Sequence, residues 1–354
     1  MELFKAHNQW STRPEDERFT SLQGLYLACK QYADTAKEAE RQYSDLRMEA
    51  INGDVQMVGK QGLPAKLTHW AFGQLAARIG APASYLRDLP ATLAVQNMNH
   101  GLAKITADSK EKVAKLLFHS NGSLLLRAIT SDHYSRIWNW EVAERLVDLR
   151  GWEPARPDIR VQDDRLPLYA SDHDMFAFLR STDKWIDEGT DCPLWRGIIV
   201  ENSEVGASAL KLTRFLYREM CGNHIIWGAS KVVDMSIRHI GDARERWANF
   251  AVQVRRWSDQ STSDETPLIE KAKHTLIASS KEDVLDTIFG KRSIGLTRKA
   301  VAGGYDAVVP EEDGDPNTVW GMIQGLTRYS QTIPYADART AIDRAAGKLM
   351  ETDF

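Results

Sequence analysis

Two Asn-Gly dipeptides, Asn52-Gly53 and Asn121-Gly122, each separate short apolar runs, and no other local feature constrains the chain as much. Both residue types tolerate the positive φ of a two-residue turn, and that turn's twist matches the strands it joins. Residues 46–58 are therefore expected to form one hairpin. Residues 115–130 are expected to form a second, with Leu116, Leu117 and Phe118 leading in and Leu124, Leu125 and Leu126 leading out.

Helical spacing surrounds these hairpins. Leu22, Leu25, Tyr26, Cys29, Tyr32 and Ala36 recur at three- and four-residue steps, which predicts a helix giving way near Tyr43. Thr68 is a candidate N-cap for a second helix that runs to Gly80, and residues 138–150 predict a third, ended by Gly151. Strands are expected at 175–179, 197–200, 209–217 and 225–227, with 232–237 continuing the sheet. From Asp242 the stripe Trp247, Phe250, Ala251, Val254 and Trp257 predicts a long helix. Helices dominate to the C-terminus, among them one containing Val319, Trp320 and Ile323, and 310–316 reads as a flexible acidic connection.

The pattern predicts an α+β fold, with antiparallel hairpins and a sheet in the middle of the chain, flanking helices and a helical C-terminal region. Three segments are expected: 1–153 with the two hairpins, 154–260 with the central sheet and long helix, and 261–354, which is helical.

A chain of 354 residues with 43% hydrophobic content can bury a large core. Its net charge of −4 lacks the basic excess that drives loose phosphate binding, so any nucleic-acid contact must come from a local patch. Cys29, Cys192 and Cys221 form no C-x-x-C pair and leave an odd count, which argues against a disulfide scaffold or zinc ribbon and fits a reducing cytoplasm. No apolar run approaches the ~20 residues needed to span a bilayer, and the first residues lack a signal-peptide pattern. A cytoplasmic location is expected.

Gly-x-x-x-x-Gly-Lys-Ser/Thr, Gly-x-Ser-x-Gly and His-Glu-x-x-His are all missing from the sequence. The stretch from Gln74 through Gly80 to Leu86 has the layout of a helix-turn-helix, but only Ser84, Tyr85, Arg87 and Asp88 could reach a base edge before Pro90. A helical corner packing on the first hairpin is the plainer reading. Ser131-Asp132-His133-Tyr134 and Ser171-Asp172-His173-Asp174, with His224 and His239, supply ligand types for a divalent ion in a nuclease. The same phrases are ordinary turn chemistry. Cys221 beside His224 has the residue types of a thiolate nucleophile and its base, although cysteine is more often a small core hydrophobe.

Basic and aromatic residues make a fuller pattern, in which cations hold a phosphate backbone and flat rings stack on unpaired bases. Arg127, Arg136, Lys211, Arg214, Arg218, Arg238, Arg244, Arg255 and Arg256 are the candidates for backbone contact, and Tyr134, Trp138 and Trp140 for stacking. Such arginines are also usual on solvated helix flanks, and acids such as Glu245 and Asp259 offset the local charge.

Several blocks in a fixed order carry a resemblance. They are Ala81-Pro82-Ala83-Ser84-Tyr85-Leu86, Arg127-Ala128-Ile129-Thr130-Ser131-Asp132-His133-Tyr134, Ser171-Asp172-His173-Asp174-Met175, Asn202-Ser203-Glu204-Val205-Gly206 and Cys221-Gly222-Asn223. Across roughly residues 67–257 their order and spacing are similar to the phage/plasmid-like protein family catalogued as a domain of unknown function. The resemblance implies a mobile-element protein serving replication, recombination or DNA protection, and it carries no catalytic residue over. Asn202-Ser203 is turn-forming and Gly206 permits a closely packed backbone, so these blocks can equally serve the fold. In layout alone, the hairpins and helices are also similar to phage strand-annealing proteins, which form rings or filaments around single-stranded DNA.

The expected function is binding of single-stranded DNA, with strand annealing and homo-oligomer assembly, and without bond chemistry, cofactor, metal or membrane. One rival is a metal-dependent nuclease centred on Asp132, His133, Asp172, His173 and Asp174. The other is a non-catalytic protein-interaction module, such as an inhibitor of host defence.

Overall fold

The computed structural model describes residues 17–59, 62–108, 113–120, 122–155, 167–186, 194–218, 223–225, 235–250, 252, 254–255, 265–333 and 336–354. The chain enters through β1 (Arg18–Phe19) and α1 (Leu22–Asp34), whose N-cap Ser21 accepts from the Gly24 amide at 3.1 Å. Then come β2 (Ala36–Gln42), β3 (Leu46–Ile51), β4 (Asp54–Gly59) and β5 (Ala65–Leu67). Three helices follow, α2 (His69–Arg78), α3 (Ala83–Asp88) and α4 (Ala91–Asp108), and then β6 (Val113–Ser120) and β7 (Leu124–Ser131).

These strands form a six-stranded sheet in the order β2-β6-β7-β5-β4-β3, antiparallel except where β5 meets β7. Both expected hairpins are present. In the first, Asn52 (φ 52°) and Gly53 (φ 83°) make the turn; in the second, Gly122 (φ 73°) does so, and Asn121 lies outside the described residues. The Thr68 side chain caps α2 by accepting from the Ala71 amide at 3.1 Å. Its other end closes on Gly80 at φ 71°, where the amides of Gly80 and Ala81 return to the carbonyls of Ala77 and Ala76. Met48, Met57, Leu116, Leu126 and Ile129 on this sheet pack against Ala71 and Leu75 of α2 and Met98 and Leu102 of α4.

Residues 36–42 differ from the expectation of a helix continuing to near Tyr43. Ala-Lys-Glu-Ala-Glu-Arg-Gln favours a helix by composition, yet all seven residues pair antiparallel with β6. Backbone bonding to an available sheet edge overrides so weak a propensity.

The second sheet follows α5 (Asn139–Val147). It comprises β8 (Trp152–Pro154), β9 (Leu168–Ala170), β10 (Met175–Ile186), β11 (Leu194–Asn202), β12 (Leu210–Arg218), β13 (Asn223–Ile225) and β14 (Met235–Ile237). Its order is β1-β9-β10-β11-β12-β13, with β8 beside β10 and β14 beside β12. One face packs on α1, α5 and α6 (Ala243–Ala248), burying Leu25, Val142, Leu146, Leu179, Ile198, Leu210 and Trp247. The core under the second sheet therefore draws on both segments 1–153 and 154–260, because α1 and α5 from the first cover the sheet of the second.

The C-terminal region is helical: α7 (Glu265–His274), α8 (Lys281–Gly290), α9 (Arg298–Ala307), α10 (Pro310–Asp313), α11 (Val319–Ser330) and α12 (Ala336–Leu349). It closes over Ile186, Leu194 and Leu216 at the far end of the second sheet. The acidic connection is not a loose one. Asp313 is buried, accepts from the Val309 amide at 3.0 Å and pairs with Arg328 at 2.9 Å. Among the described residues no helix is long and apolar enough to cross a membrane.

Candidate nucleic-acid interface

The segment after β11 is the seam between the two sheets. Asn202 Nδ2 donates to the Ile137 carbonyl at 3.0 Å and to Asn139 Oδ1 at 2.8 Å. Ser203 Oγ donates to the His173 carbonyl at 2.6 Å and accepts from the Ala207 amide at 3.1 Å. The Val205 carbonyl accepts from Trp70 Nε1 at 3.0 Å and Gln74 Nε2 at 2.9 Å, both on α2. Gln74 Oε1 in turn accepts from the Ile129 amide of β7 at 2.8 Å. Gly206 holds φ 83°, a conformation that favours glycine, while a Cβ there would make only ordinary contacts, 3.5 Å from Gln74, Thr130 and Tyr134.

Glu204 is the charge at the centre. It is buried, its Oε1 lies 2.9 Å from Arg127 Nη1, and its Oε2 accepts from the Asn139 amide at 3.1 Å. That amide opens α5, where a carboxylate complements the positive helix end. Arg127 is itself fully buried, donates from Nη2 to the Asp172 carbonyl at 2.8 Å and covers the Tyr32 ring at 4.3 Å. Sealed in this way, it has no route to a phosphate in solution. Cys29, buried nearby, has its thiol pushed well above the usual range, first by burial and then by Glu204.

Beside the seam, Glu38, Ala39 and Glu40 of β2, Lys115 of β6, and Tyr134, Arg136, Trp138 and Arg244 line a cleft of about 270 Å³. Arg136 is 5% exposed, and its Nε donates to Glu38 Oε1 at 2.5 Å. Its guanidinium carbon lies 5.2 Å from the Tyr134 ring centroid and 5.4 Å from that of Trp138. Among the described residues the buried Nη1 and Nη2 have no hydrogen-bond partner. Lys115 Nζ donates to the Tyr134 carbonyl at 3.1 Å and is 3.8 Å from Glu40, while Arg244 pairs with Glu141 at 2.9 Å.

Tyr134 stacks on His239 at 5.3 Å with an 8° interplanar angle, and its hydroxyl donates to the Ser203 carbonyl at 3.2 Å. His239 Nδ1 accepts from the Ile137 amide at 3.3 Å. Burial, then Arg136, lowers the His239 pKa to about 4, so the ring is neutral at pH 7 with its proton on Nε2.

The structure brings Tyr134, Arg136, Trp138 and Arg244 to this cleft and places the other described candidates elsewhere. Trp140 is half-buried against the core under Lys30. Lys211 is the cross-strand partner of Glu201 and lies 3.6 Å from it. Arg214 and Arg218 sit on β12 opposite Ile198 and Leu194, and Arg238 and Arg255 are exposed. Arg256 lies outside the described residues, as do Cys192 and Cys221, and the same holds for the His224 side chain.

Asp132 and His133 lie just beyond β7 and pair with one another, whereas Asp172, His173 and Asp174 belong to the turn before β10. Among the described residues no three ligating side chains gather as a metal would need. Glu38, Glu40 and Lys115 are cleft residues that sequence reasoning missed. The two acids became visible only when 36–42 proved to be a strand.

No family model, curated protein or solved structure matches the chain. The likeness to the phage/plasmid-like family therefore rests on the residue blocks alone.

Proposed function

We propose that the protein is a non-catalytic component of mobile-element DNA metabolism that holds single-stranded DNA at the cleft of Tyr134, Arg136, Trp138 and Arg244. The supporting observation is that these four, named for backbone contact or stacking, share one 270 Å³ cleft with Lys115. A base stacked on an aromatic ring contributes about 1–3 kcal/mol, and the half-buried Trp138 presents such a ring. The cations add less, because each already has a carboxylate neighbour.

Salt dependence separates this cleft from an extended groove. Lys115 and Arg244, whose side chains are 28% and 57% exposed, give two phosphate contacts and a slope of log affinity on log salt of about −1.4. The nine cations named from the sequence would together give about −6. Anisotropy of a labelled, unphosphorylated oligothymidine across a salt series measures the slope. We expect a value near −1.4 and a loss of about tenfold in affinity on Trp138→Ala. Absence of binding at low salt, or an unchanged affinity in that variant, overturns the proposal.

Annealing and self-assembly belong to the same reading. Electron microscopy with and without an oligonucleotide tests them, and particles that stay single in both samples remove them. A protein-interaction role is favoured by one separate observation, the exposure of Tyr85 on α3 and Leu93 on the adjoining α4. Cross-linking from those positions in nuclease-treated host lysate distinguishes it.

A further inference from the structure

We infer that the cleft recognises the phosphomonoester at the end of a strand in preference to phosphodiesters in its interior. This deepens the single-strand reading and rests on it. Arg136 supplies the reason. A guanidinium presents five N–H donors in a planar fork that matches two oxygens of a phosphate. Among the described residues only the Nε donor is engaged, by Glu38, while Nη1 and Nη2 are buried and unpartnered in a side chain that lines the cleft. Burying donors without acceptors is costly, so an anion that reaches them recovers free energy that an exposed arginine could not offer.

Charge decides which anion. Arg136, Lys115 and Arg244 already face Glu38, Glu40 and Glu141 respectively. An internal phosphodiester carries one negative charge, so exchanging it for a carboxylate swaps one monoanion for another. A phosphomonoester carries about −1.5 to −2 and three strong acceptor oxygens, so it alone improves on the carboxylate it displaces.

Size points the same way. At about 270 Å³ the cleft falls below the roughly 300 Å³ at which drug-sized pockets begin. It has room for a phosphate with part of its sugar, and the rest of a strand would continue outside it. Lys115 at the rim holds the charge in register, and Trp138 offers the first base a face.

Titration calorimetry on the full chain tests the inference with one oligothymidine carrying a phosphate at its 5′ end, at its 3′ end or at neither. Inorganic phosphate and thymidine monophosphate serve as separate titrants. We expect at least one phosphorylated end to bind about tenfold more tightly than the unphosphorylated strand. Lys115→Ala should erase most of that preference. Glu38→Gln should tighten the phosphorylated strand severalfold, and by more than it tightens the unphosphorylated one, a gain that misfolding cannot imitate.

Equal affinity for all three strands overturns this inference and leaves the single-strand reading standing. Inorganic phosphate or the free nucleotide binding as tightly as the phosphorylated strand overturns the strand-end assignment in favour of a free phosphomonoester. Absence of any binding overturns both readings.

Discussion

Replacing Glu204 by glutamine tests whether the seam, and not the cleft, is what holds the two sheets together. Glutamine keeps the shape and an oxygen for the Asn139 amide, but it removes the charge 2.9 Å from Arg127 Nη1. Arg127 is 0% exposed, so its charge is left with the Asp172 carbonyl and the Tyr32 ring as its compensation. Breaking a buried pair from one side costs about 3–5 kcal/mol. The retained contacts place Glu204→Gln near the lower end, about 3 kcal/mol, and Arg127→Met near the upper, because the stranded carboxylate keeps only one backbone donor. With ~2.1 cal/mol/K of unfolding entropy for each of 354 residues, 4 kcal/mol lowers the melting temperature by about 5 °C. The double variant removes both charges and should cost about 2 kcal/mol less than the sum of the singles. Guanidinium denaturation of the four proteins gives the cycle. Singles that each cost under ~1 kcal/mol, or a strictly additive double variant, would refute a central role for the pair.

Three further expectations are open to measurement. A methyl at Gly325 would overlap the Gly304 carbonyl oxygen and crowd Val308 where α11 crosses α9, so Gly325→Ala should cost about 2–3 kcal/mol. Gly290→Ala, with nothing within 4 Å, should be silent in the same melting assay. Asn99 bonds both the amide and the carbonyl of Met48 on edge strand β3, at 2.8 and 2.9 Å, so Asn99→Ala should cost about 1–2 kcal/mol and raise self-association by light scattering. For His239, the unfolded ring binds a proton below about 6.5 and the folded ring only below about 4, so stability falls as pH drops through that window. The loss between pH 7 and pH 5 is about 2 kcal/mol, and His239→Phe should flatten it; an unchanged pH slope in urea denaturation contradicts the burial of a neutral ring.

The legible parts of the fold were those governed by local chemistry. Positive φ at Asn52, Gly53 and Gly80 and the Thr68 cap act within a few residues and need no tertiary context. Strand β2 was illegible because its composition is that of a solvated helix, and only pairing with β6 makes it a strand. Helix α4 went unread behind Pro90, since Asn97, Asn99 and Gly101 weaken its helical signal. Charge pairing was partly legible in principle. Lys211 and Glu201 face one another on consecutive strands, whereas Arg136 meets Glu38 from 98 residues away, which no spacing rule anticipates.

The blocks that carry the family resemblance are scattered along the chain, and three of them converge on a single buried junction. Arg127 and Tyr134 from one block, Asp172 and His173 from another, and Ser203, Glu204, Val205 and Gly206 from a third are all joined there by hydrogen bonds or ion pairs. A buried polar junction of this kind restricts residue type as tightly as an active site does. The junction therefore locks the two sheets, and the proposed nucleic-acid cleft lies beside it. The cleft shares Tyr134 with the seam through the Ser203 carbonyl, so Ser203→Ala should disturb the Tyr134 ring indirectly. If a nucleic acid does occupy the cleft, that variant should weaken binding less than Trp138→Ala while destabilising the fold more. The opposite ranking would move the functional site into the seam.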